Sequence, residues 1–260
     1  MVAISVPDAG CVRRALLAGA LLLACLRGAG AQTPLLLVTE HTPPDIMREG
    51  DSVRGISGDK VRIMLERADI PHRFQVLAWR RAYMLAQKDP DTCVFSTARI
   101  PEREALFKWV GPLREADWTL YGLASTRRQL KSLEDARGLR IGGYNGDVRA
   151  TYLQARGFTV DTAQDDLTNP RKLLAGHIDL WAAGSEVARL AIEQNGWSGK
   201  IVPLLVFHST KLYLACNRSV PDQRIAAMNA ALTDMQRDGT VAAIERRYAN
   251  WRPQAAPPER

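Results

Sequence analysis

Apolar and polar positions in the first third of the chain alternate between strand spacing and helix spacing. The apolar run Leu35–Thr39 predicts a short strand, which ends before the turn-forming pair Pro43-Pro44. The segment Val61–Ala68 carries apolar residues at helical spacing, so it predicts a helix with one buried face and Ser57 as its N-cap. Two further strands and an intervening helix are predicted here: His72–Leu77, Thr92–Ser96 and Trp79–Gln87. This β-α-β-α-β alternation indicates a parallel sheet covered by helices on both faces.

A second alternation follows a strand predicted at Trp118–Ala124, and it predicts a second sheet domain. Its predicted strands and helices are Arg140–Gly143, Asp147–Arg156, Thr159–Ala163, Pro170–Ala175, Ile178–Ala182, Ser185–Gln194 and Ile201–Leu205. Lys211–Cys216 is predicted to be a strand again, followed by a helix from Asp222 to about Gly239 and a short helix that ends near Tyr248. Because no glycine- or serine-rich linker separates the two blocks, ordered strands are expected to join them. That geometry suits a hinge.

Composition excludes several protein classes. A chain of 260 residues with 46% hydrophobic residues can bury a sizeable core, which argues against a disordered or fibrous protein. The formal charge of +7 is spread along the chain in basic pairs such as Arg80-Arg81 and Arg127-Arg128. We interpret these pairs as a solvated surface rather than a nucleic-acid patch.

The N-terminus has the pattern of an export signal. Arg13 and Arg14 precede the apolar run Ala15–Leu26, which is too short for a lasting membrane span and is followed by small residues ending at Ala31. This predicts a signal peptide over residues 1–31 and a periplasmic protein. Alternatively, Leu22-Leu23-Ala24-Cys25 is a lipoprotein box, in which case Cys25 would be lipidated and would hold the protein on a membrane face.

Cysteine and histidine usage indicates no metal site. Removal of the predicted leader leaves Cys93 and Cys216, and export makes a disulfide permissible. Both lie in apolar strand-like runs, so free buried cysteines are the expected outcome and a bridge is the alternative. The histidines are too scattered in sequence to suggest a zinc site, and no cofactor is expected.

Five segments, in their order and spacing, resemble a known family: Phe95–Glu104, Phe107–Pro112, Ser132–Gly142, Leu174–Leu180 and Met235–Thr240. The chain is similar over about Leu35–Tyr248 to the extracellular solute-binding proteins of family 3, the polar amino acid type, which are periplasmic receptors of ABC importers. The resemblance implies a two-lobed α/β fold, each lobe a mostly parallel sheet flanked by helices. Lobe 1 would comprise residues 32–122 and 209–251, lobe 2 residues 123–208, and residues 252–260 a loose tail. Two hinge strands, near Leu120–Ala124 and Val206–Leu212, would join the lobes.

The same resemblance implies a function in solute capture. A monomer would close over a small polar solute, an amino acid or an amino-acid-like molecule, and deliver it to an ABC permease in the inner membrane, without catalytic residues and without nucleic acid. Independently of any family, ligands of open α/β sheets gather at the carboxyl ends of the strands and in clefts between domains. The expected cleft loops follow Thr39, Leu77, Ser96, Gly143 and Ala182.

Arg103 is the first candidate for ligand binding. It matches the arginine that grips the ligand carboxylate in this family, and a guanidinium offers a planar fork to two oxygens. Otherwise it is a surface arginine paired with Glu102 or Glu104. Ser96 and Thr97 could offer a hydroxyl or a backbone N–H to the ligand, although turn chemistry explains them as well. Trp79 is interpreted as either an aromatic wall or a core residue.

The other candidates depart from the family pattern. Asp147 stands where relatives often place threonine or serine, and it is either a ligand contact or simply a helix N-cap. Glu186 follows a strand after which relatives carry an ammonium-binding aspartate, but it could instead be a first-turn helix charge. These departures make an ordinary α-amino acid a doubtful ligand. His41 is a weaker candidate, close to Asp45, which replaces a frequent aromatic residue. The glycines of Gly142-Gly143-Tyr144-Asn145-Gly146 are expected to let ligand approach a helix N-terminus.

Two other function classes stay open. A dehydratase-like enzyme on the same scaffold would use Glu186 as its acid, but the sequence shows no nucleophile elbow, paired-carboxylate motif or metal-binding motif. A ligand-sensing module would need a separate partner protein to carry the signal.

Overall fold

The computed structural model describes residues 33–252, which contain ten strands and eight α-helices. The predicted alternation is present, with three elements that were not predicted: Met47–Glu49, Ser52–Arg54 and Pro101–Glu104. The strands are β1 (Leu35–Thr39), β2 (Met47–Glu49), β3 (Ser52–Arg54), β4 (His72–Val76), β5 (Thr92–Ala98), β6 (Lys108–Leu123), β7 (Ile141–Tyr144), β8 (Val160–Ala163), β9 (Leu180–Gly184) and β10 (Ile201–Cys216). The helices are α1 (Ile56–Arg67), α2 (Trp79–Lys88), α3 (Pro101–Glu104), α4 (Val148–Gln154), α5 (Thr168–Leu174), α6 (Ser185–Gln194), α7 (Asp222–Arg237) and α8 (Thr240–Tyr248).

Eight strands form one continuous hydrogen-bonded sheet in the order β4-β1-β5-β10-β6-β9-β7-β8, while β2 and β3 form a separate hairpin. The outer strands pair in parallel, β1 with β4 and β5, and β7 with β8 and β9. The central pairs are antiparallel. β6 and β10 belong to both halves of the sheet, so the two predicted blocks are joined by ordered strands, as expected, and share one continuous sheet.

The two central strands are longer than the sequence predicted. Each has 16 residues, about 50 Å at roughly 3.3 Å per residue, and they pair with each other from Leu123↔Ile201 to Lys108↔Cys216. The prediction started the first of them only at Trp118, because Gly111-Pro112 has the composition of a chain break. In the sheet these two residues lie at a register shift, where a proline interrupts no regular ladder hydrogen bond.

Separate hydrophobic cores define two lobes on this sheet. In lobe 1, helices α1, α7 and α8 cover one face of β1, β5 and β10, and α2 covers the other face. In lobe 2, helices α5 and α6 pack around Trp181 on one face of the sheet, and α4 packs over Ile141 on the other. Covering both faces of a parallel sheet buries its apolar side chains, which explains the continuous apolar runs that predicted these strands. The residue boundaries of the lobes stay a prediction.

Cys93 and Cys216 form a disulfide bond, so the expectation of free cysteines was wrong. The two residues are direct partners in the antiparallel pairing of β5 with β10, a register that the sequence did not reveal. The bond ties together two strands that are 123 residues apart in the chain.

Ser57 is not the cap of the first helix, as had been predicted. The helix begins at Ile56 with Gly55 as its N-cap, and the Ser57 hydroxyl donates a hydrogen bond to Asp45 Oδ1 at 2.6 Å. Gly55 has a φ of 111°, and a side chain there would strike the carbonyl oxygens of Pro44 and Asp45. Glycine therefore lets the Pro43–Asp45 turn pack against the start of α1.

The predicted signal peptide, its cleavage site and Cys25 lie outside the described residues, as do residues 253–260 of the predicted tail. Within residues 33–252 no helix combines the length and the apolar character that crossing a membrane requires.

Candidate ligand-binding cleft

A cavity of about 1010 Å³ opens between the two lobes. Residues that follow each of the five expected positions line it, namely Glu40, Trp79, Ala98, Tyr144 and Gly184. Eight carboxylate side chains and four arginines line it, so the state of each arginine decides where an anionic ligand could bind.

Arg103 is a buried cation without a carboxylate partner. Its side chain extends from α3 and is 9% exposed, with Cζ 4.7 Å from the centre of the Tyr83 ring and Nη1 3.5 Å from the Ala98 carbonyl oxygen. No ion pair joins it to any residue in the described part of the chain, and Glu104 pairs with Arg99 instead. Burial lowers the pKa of Arg103. A buried guanidinium at a cavity wall with free donor positions is a site for an anionic ligand group.

Three other predicted site residues line the same cavity. The Trp79 ring lies at the start of α2, half-buried, with its centre 5.8 Å from that of Tyr83. Ser96 has a φ of 59°, and its hydroxyl donates to Asp45 Oδ2 at 2.6 Å. His41 is exposed, and its Nδ1 accepts a hydrogen bond from the backbone N–H of Arg48 at 3.3 Å.

Thr97 does not line the cavity. Its side chain is buried, and its hydroxyl donates to the Val94 carbonyl oxygen at 3.3 Å. Successive side chains of a strand point to opposite faces, so Ser96 and Thr97 cannot both face the cleft through their side chains.

A first charged bridge crosses the cleft at Arg114 in β6. Its Nη1 lies 3.1 Å from Asp45 Oδ1 in lobe 1, and its Nη2 lies 2.6 Å from Glu186 Oε2 at the start of α6 in lobe 2. Although burial alone would lower it, these two carboxylates raise the pKa of Arg114. Glu186 was predicted to contact ligand, and the structure shows its carboxylate already paired within the cleft.

A second charged cluster forms the lobe 2 wall. Asp147 is the N-cap of α4, as the sequence indicated, and accepts a hydrogen bond from the Arg149 N–H at 2.7 Å. The Arg149 guanidinium also lies 2.7 Å and 2.9 Å from the two Asp147 oxygens and 3.7 Å from Asp166. Burial opposes the charge of Arg149, but the two carboxylates prevail and raise its pKa, while burial raises the pKa of Asp166. Asp147 was a predicted ligand contact, but its charge and that of Arg149 are therefore already paired within the protein.

Glu40 connects the two lobes directly. Its Oε1 accepts a hydrogen bond from Tyr144 Oη in lobe 2 at 2.8 Å and from the Trp79 N–H in lobe 1 at 3.3 Å. Burial raises the pKa of Glu40, and the charges of Asp147 and Asp166 add to that rise, although its two hydrogen bonds oppose it. Burial and the neighbouring Glu40 also raise the pKa of Tyr144.

Gly142 and Gly143 do not serve ligand approach, contrary to the expectation. Neither lines the cavity. A Cβ atom at Gly142 would lie 2.4 Å from Ile178 Cδ1, and one at Gly143 would lie 2.9 Å from Val160 Cγ1. The two glycines instead let helices and neighbouring strands pack closely against β7.

Most of the charged residues that pair with one another across and beside the cleft were not predicted from the sequence. The residues that it did not nominate are Glu40, Asp45, Arg114, Tyr144, Arg149 and Asp166. The one available signal was the replacement of an aromatic residue by Asp45, which indicates that this part of the cleft is polar. Most of the other partners lie far away in the chain, as Tyr144 does from Glu40; Arg149 is the exception, because Asp147 is only two residues before it.

Comparison with known proteins gives similarity in structure only: no family model matches the chain, and no curated protein matches it. A histidine kinase sensor domain with similarity to periplasmic binding proteins has a TM-score of 0.76 at 15% identity, covering 85% of this chain and 98% of its own. ArtJ from Geobacillus stearothermophilus, an arginine-, lysine- and histidine-binding protein, has a TM-score of 0.72 at 15% identity, with coverages of 85% and 97%. AncCDT-1, an ancestral amino acid-binding protein and a precursor of cyclohexadienyl dehydratase, has a TM-score of 0.68 at 16% identity, with coverages of 83% and 94%. The chain therefore has the two-lobed α/β fold of the periplasmic binding proteins, as its sequence segments indicated.

Proposed function

We propose that this chain is an exported solute-binding protein that captures a small polar solute with an anionic group, an amino acid or an amino-acid-like molecule, for an ABC importer. The observation that carries the proposal is Arg103, a buried guanidinium that faces the interlobe cavity and forms no ion pair with a carboxylate of residues 33–252. The fold supports it, since structural neighbours of this fold bind amino acids.

The state of the other three arginines of the cavity wall favours a ligand at Arg103. Arg189, whose side chain is 40% exposed, already pairs with Glu193 at 2.9 Å. Arg114 and Arg149 each contact two carboxylates of the protein, so an incoming anion would have to displace a partner from either of them. Arg103 needs no such exchange. A ligand carboxylate would also restore the interactions that the guanidinium lost on burial.

The chain departs from the family pattern at the positions where relatives bind the ammonium group of a ligand. A Cβ atom at Gly184, the last residue of β9, would lie 3.1 Å from Arg149 Nη1, so a guanidinium lies next to this position. Glu186 is held by Arg114. Neither position offers a free carboxylate, which supports a solute recognised first through its anionic group.

A thermal-shift screen of amino acids, amines and small carboxylates tests the proposal. A solute at about 100 times its Kd stabilises the native state by about 2.7 kcal/mol, which corresponds to a rise in Tm of roughly 5–11 °C for a chain of this size. Truncating one partner of a buried charge pair costs about 2–5 kcal/mol, so Arg103→Ala is expected to weaken binding roughly 30-fold to several thousand-fold.

Arg99→Ala is the matched control, since this exposed arginine pairs with Glu104 and does not line the cavity. It should keep the full thermal shift. Full affinity retained in Arg103→Ala would remove Arg103 from the site and end the proposal.

The dehydratase-like alternative depended on Glu186 as the acid. Its carboxylate is ion-paired with Arg114 and so is not free to face a substrate, and no observation on Glu186 favours catalysis. Product formed from a prephenate-like acid, and lost in Glu186→Gln, would establish the enzyme instead. A sensing role, for which the histidine kinase sensor domain is the structural precedent, would bind solute in the same cleft and differ only in its partner.

A further inference from the structure

We propose that Glu40 is a proton-linked latch: closing the cleft buries its carboxyl group against lobe 2, and the closed form holds a proton there that the open form releases. This proposal goes beyond the proposed function, because it concerns the equilibrium between open and closed cleft without any solute. It needs the two lobes and their hinge but not Arg103.

The contacts of Glu40 are divided between the lobes. It follows β1 in lobe 1, where the Trp79 N–H at the start of α2 is its local donor at 3.3 Å. Its closer donor is Tyr144 Oη at 2.8 Å, which stands at the end of β7 in lobe 2, 104 residues away in the chain. Among residues 33–252 no ion pair connects Glu40 to a basic side chain.

The charged groups that face Glu40 from lobe 2 are mostly acidic. Asp147 at the start of α4 and Asp166 before α5 both raise the pKa of Glu40, in addition to the larger effect of burial. Arg149 on α4 is the cation between them, and its guanidinium is already shared by these two aspartates. A negative charge on Glu40 in the closed cleft would therefore be buried close to two other carboxylates that already share Arg149. Among residues 33–252 its hydrogen-bond donors are the Tyr144 hydroxyl and the Trp79 N–H.

Hinge opening would separate these groups, because Tyr144, Asp147 and Asp166 all move with lobe 2 while Glu40 stays with lobe 1. In water the Glu40 pKa would return to its ordinary range, near 4.3. The closed form thus binds more protons than the open form between that value and the raised pKa. By linkage, a fall in pH through the raised pKa favours closure, and a rise in pH through it favours opening.

Arg114 limits the range in which this effect can be measured. It bridges Asp45 and Glu186 across the same cleft, so this ion pair also holds the two lobes together. The test of the latch therefore uses only pH values above about 5, where carboxylates in water are charged.

Small-angle X-ray scattering of the purified, ligand-free protein across pH 5 to 8.5 tests the latch. The radius of gyration should be smaller at pH 5 than at pH 8.5. Glu40→Gln removes the titrating proton but keeps an oxygen that accepts from Tyr144, so it should stay compact and lose the pH dependence. Glu66→Gln, a change on the exposed side of α1, is the matched control and should follow the wild type.

Tyr144→Phe gives a second test that does not alter the carboxyl group. Loss of the hydroxyl donor should leave this variant more open than the wild type at pH 8.5 while it still becomes compact in acid. A radius of gyration that is constant with pH in the wild type, an unchanged pH dependence in Glu40→Gln, or a Tyr144→Phe profile identical to that of the wild type would each overturn the latch. Arg103→Ala should keep the scattering profile and lose ligand binding, so failure of the latch and failure of the proposed function are distinguishable.

Discussion

Arg103 and Arg149 are both buried guanidiniums at the wall of one cleft, yet their surroundings differ. Arg149 lies between Asp147 and Asp166 in lobe 2. In the described part of the chain, Arg103 in lobe 1 forms no ion pair and instead contacts the Tyr83 ring and a carbonyl oxygen 3.5 Å away. A guanidinium that is paired with carboxylates contributes to the stability of the folded structure. One without a carboxylate partner is available to an anionic ligand. The comparison teaches that burial alone does not identify a binding residue in this cleft; the number of carboxylate partners does.

The largest loss of stability is expected when Arg149, the arginine paired with two carboxylates, is replaced. Arg149→Met should leave two buried aspartates without a cation and lower the free energy of unfolding by about 3–5 kcal/mol. Urea denaturation of the ligand-free protein measures this loss. A loss below about 1 kcal/mol would mean that the cluster does not stabilise the fold.

Arg114→Met should lower the free energy of unfolding by a smaller amount, about 2–3 kcal/mol. Asp45 keeps hydroxyl donors from Ser57 and Ser96, and the Glu186 side chain, 29% exposed, can turn to water. The same denaturation experiment ranks the two variants. A loss larger than that of Arg149→Met would contradict the order that these contacts imply.

Arg103→Met should change the stability of the ligand-free protein by less than about 1 kcal/mol or raise it, because no carboxylate loses its partner and an apolar side chain replaces a buried charge. The thermal shift on adding a solute should disappear in this variant. A large destabilisation without ligand would show that Arg103 has a structural role instead.

The smallest expected effect is on the pH dependence of stability. Glu40 and Asp166 have raised pKa values, so their contribution to stability is present in acid and is lost as pH rises through those values. Glu40→Gln should flatten the decline in the free energy of unfolding above pH 5. An unchanged slope in denaturant titrations at several pH values would contradict this assignment.

The sequence was sufficient for what depends on local patterns. Strand and helix periodicity gave the alternation of elements, and the ends of the predicted strands gave five loops that each contribute to the cavity. The N-cap role of Asp147 followed from a polar residue directly before a helix. These features are specified by residues a few positions apart.

Features that depend on contacts between residues far apart in the chain could not be predicted from the sequence. Opposition of Cys93 to Cys216 is a matter of strand register, and the contacts of Glu40 with Tyr144 and of Asp45 with Arg114 join residues 104 and 69 positions apart. A single sequence contains charges but not their partners. It therefore marked Glu186 as a candidate ligand contact, although Arg114, 72 positions away, already holds its carboxylate.

The central claim is that Arg103 holds the anionic group of the solute, and a crystal structure of the protein with a solute from the thermal-shift screen tests it most directly. We expect the solute in the interlobe cavity, with an oxygen of its anionic group about 2.7–2.9 Å from a nitrogen of the Arg103 guanidinium. A solute bound in the cleft with its anionic group on Arg114 or Arg149, or one bound outside the cleft, would contradict the claim.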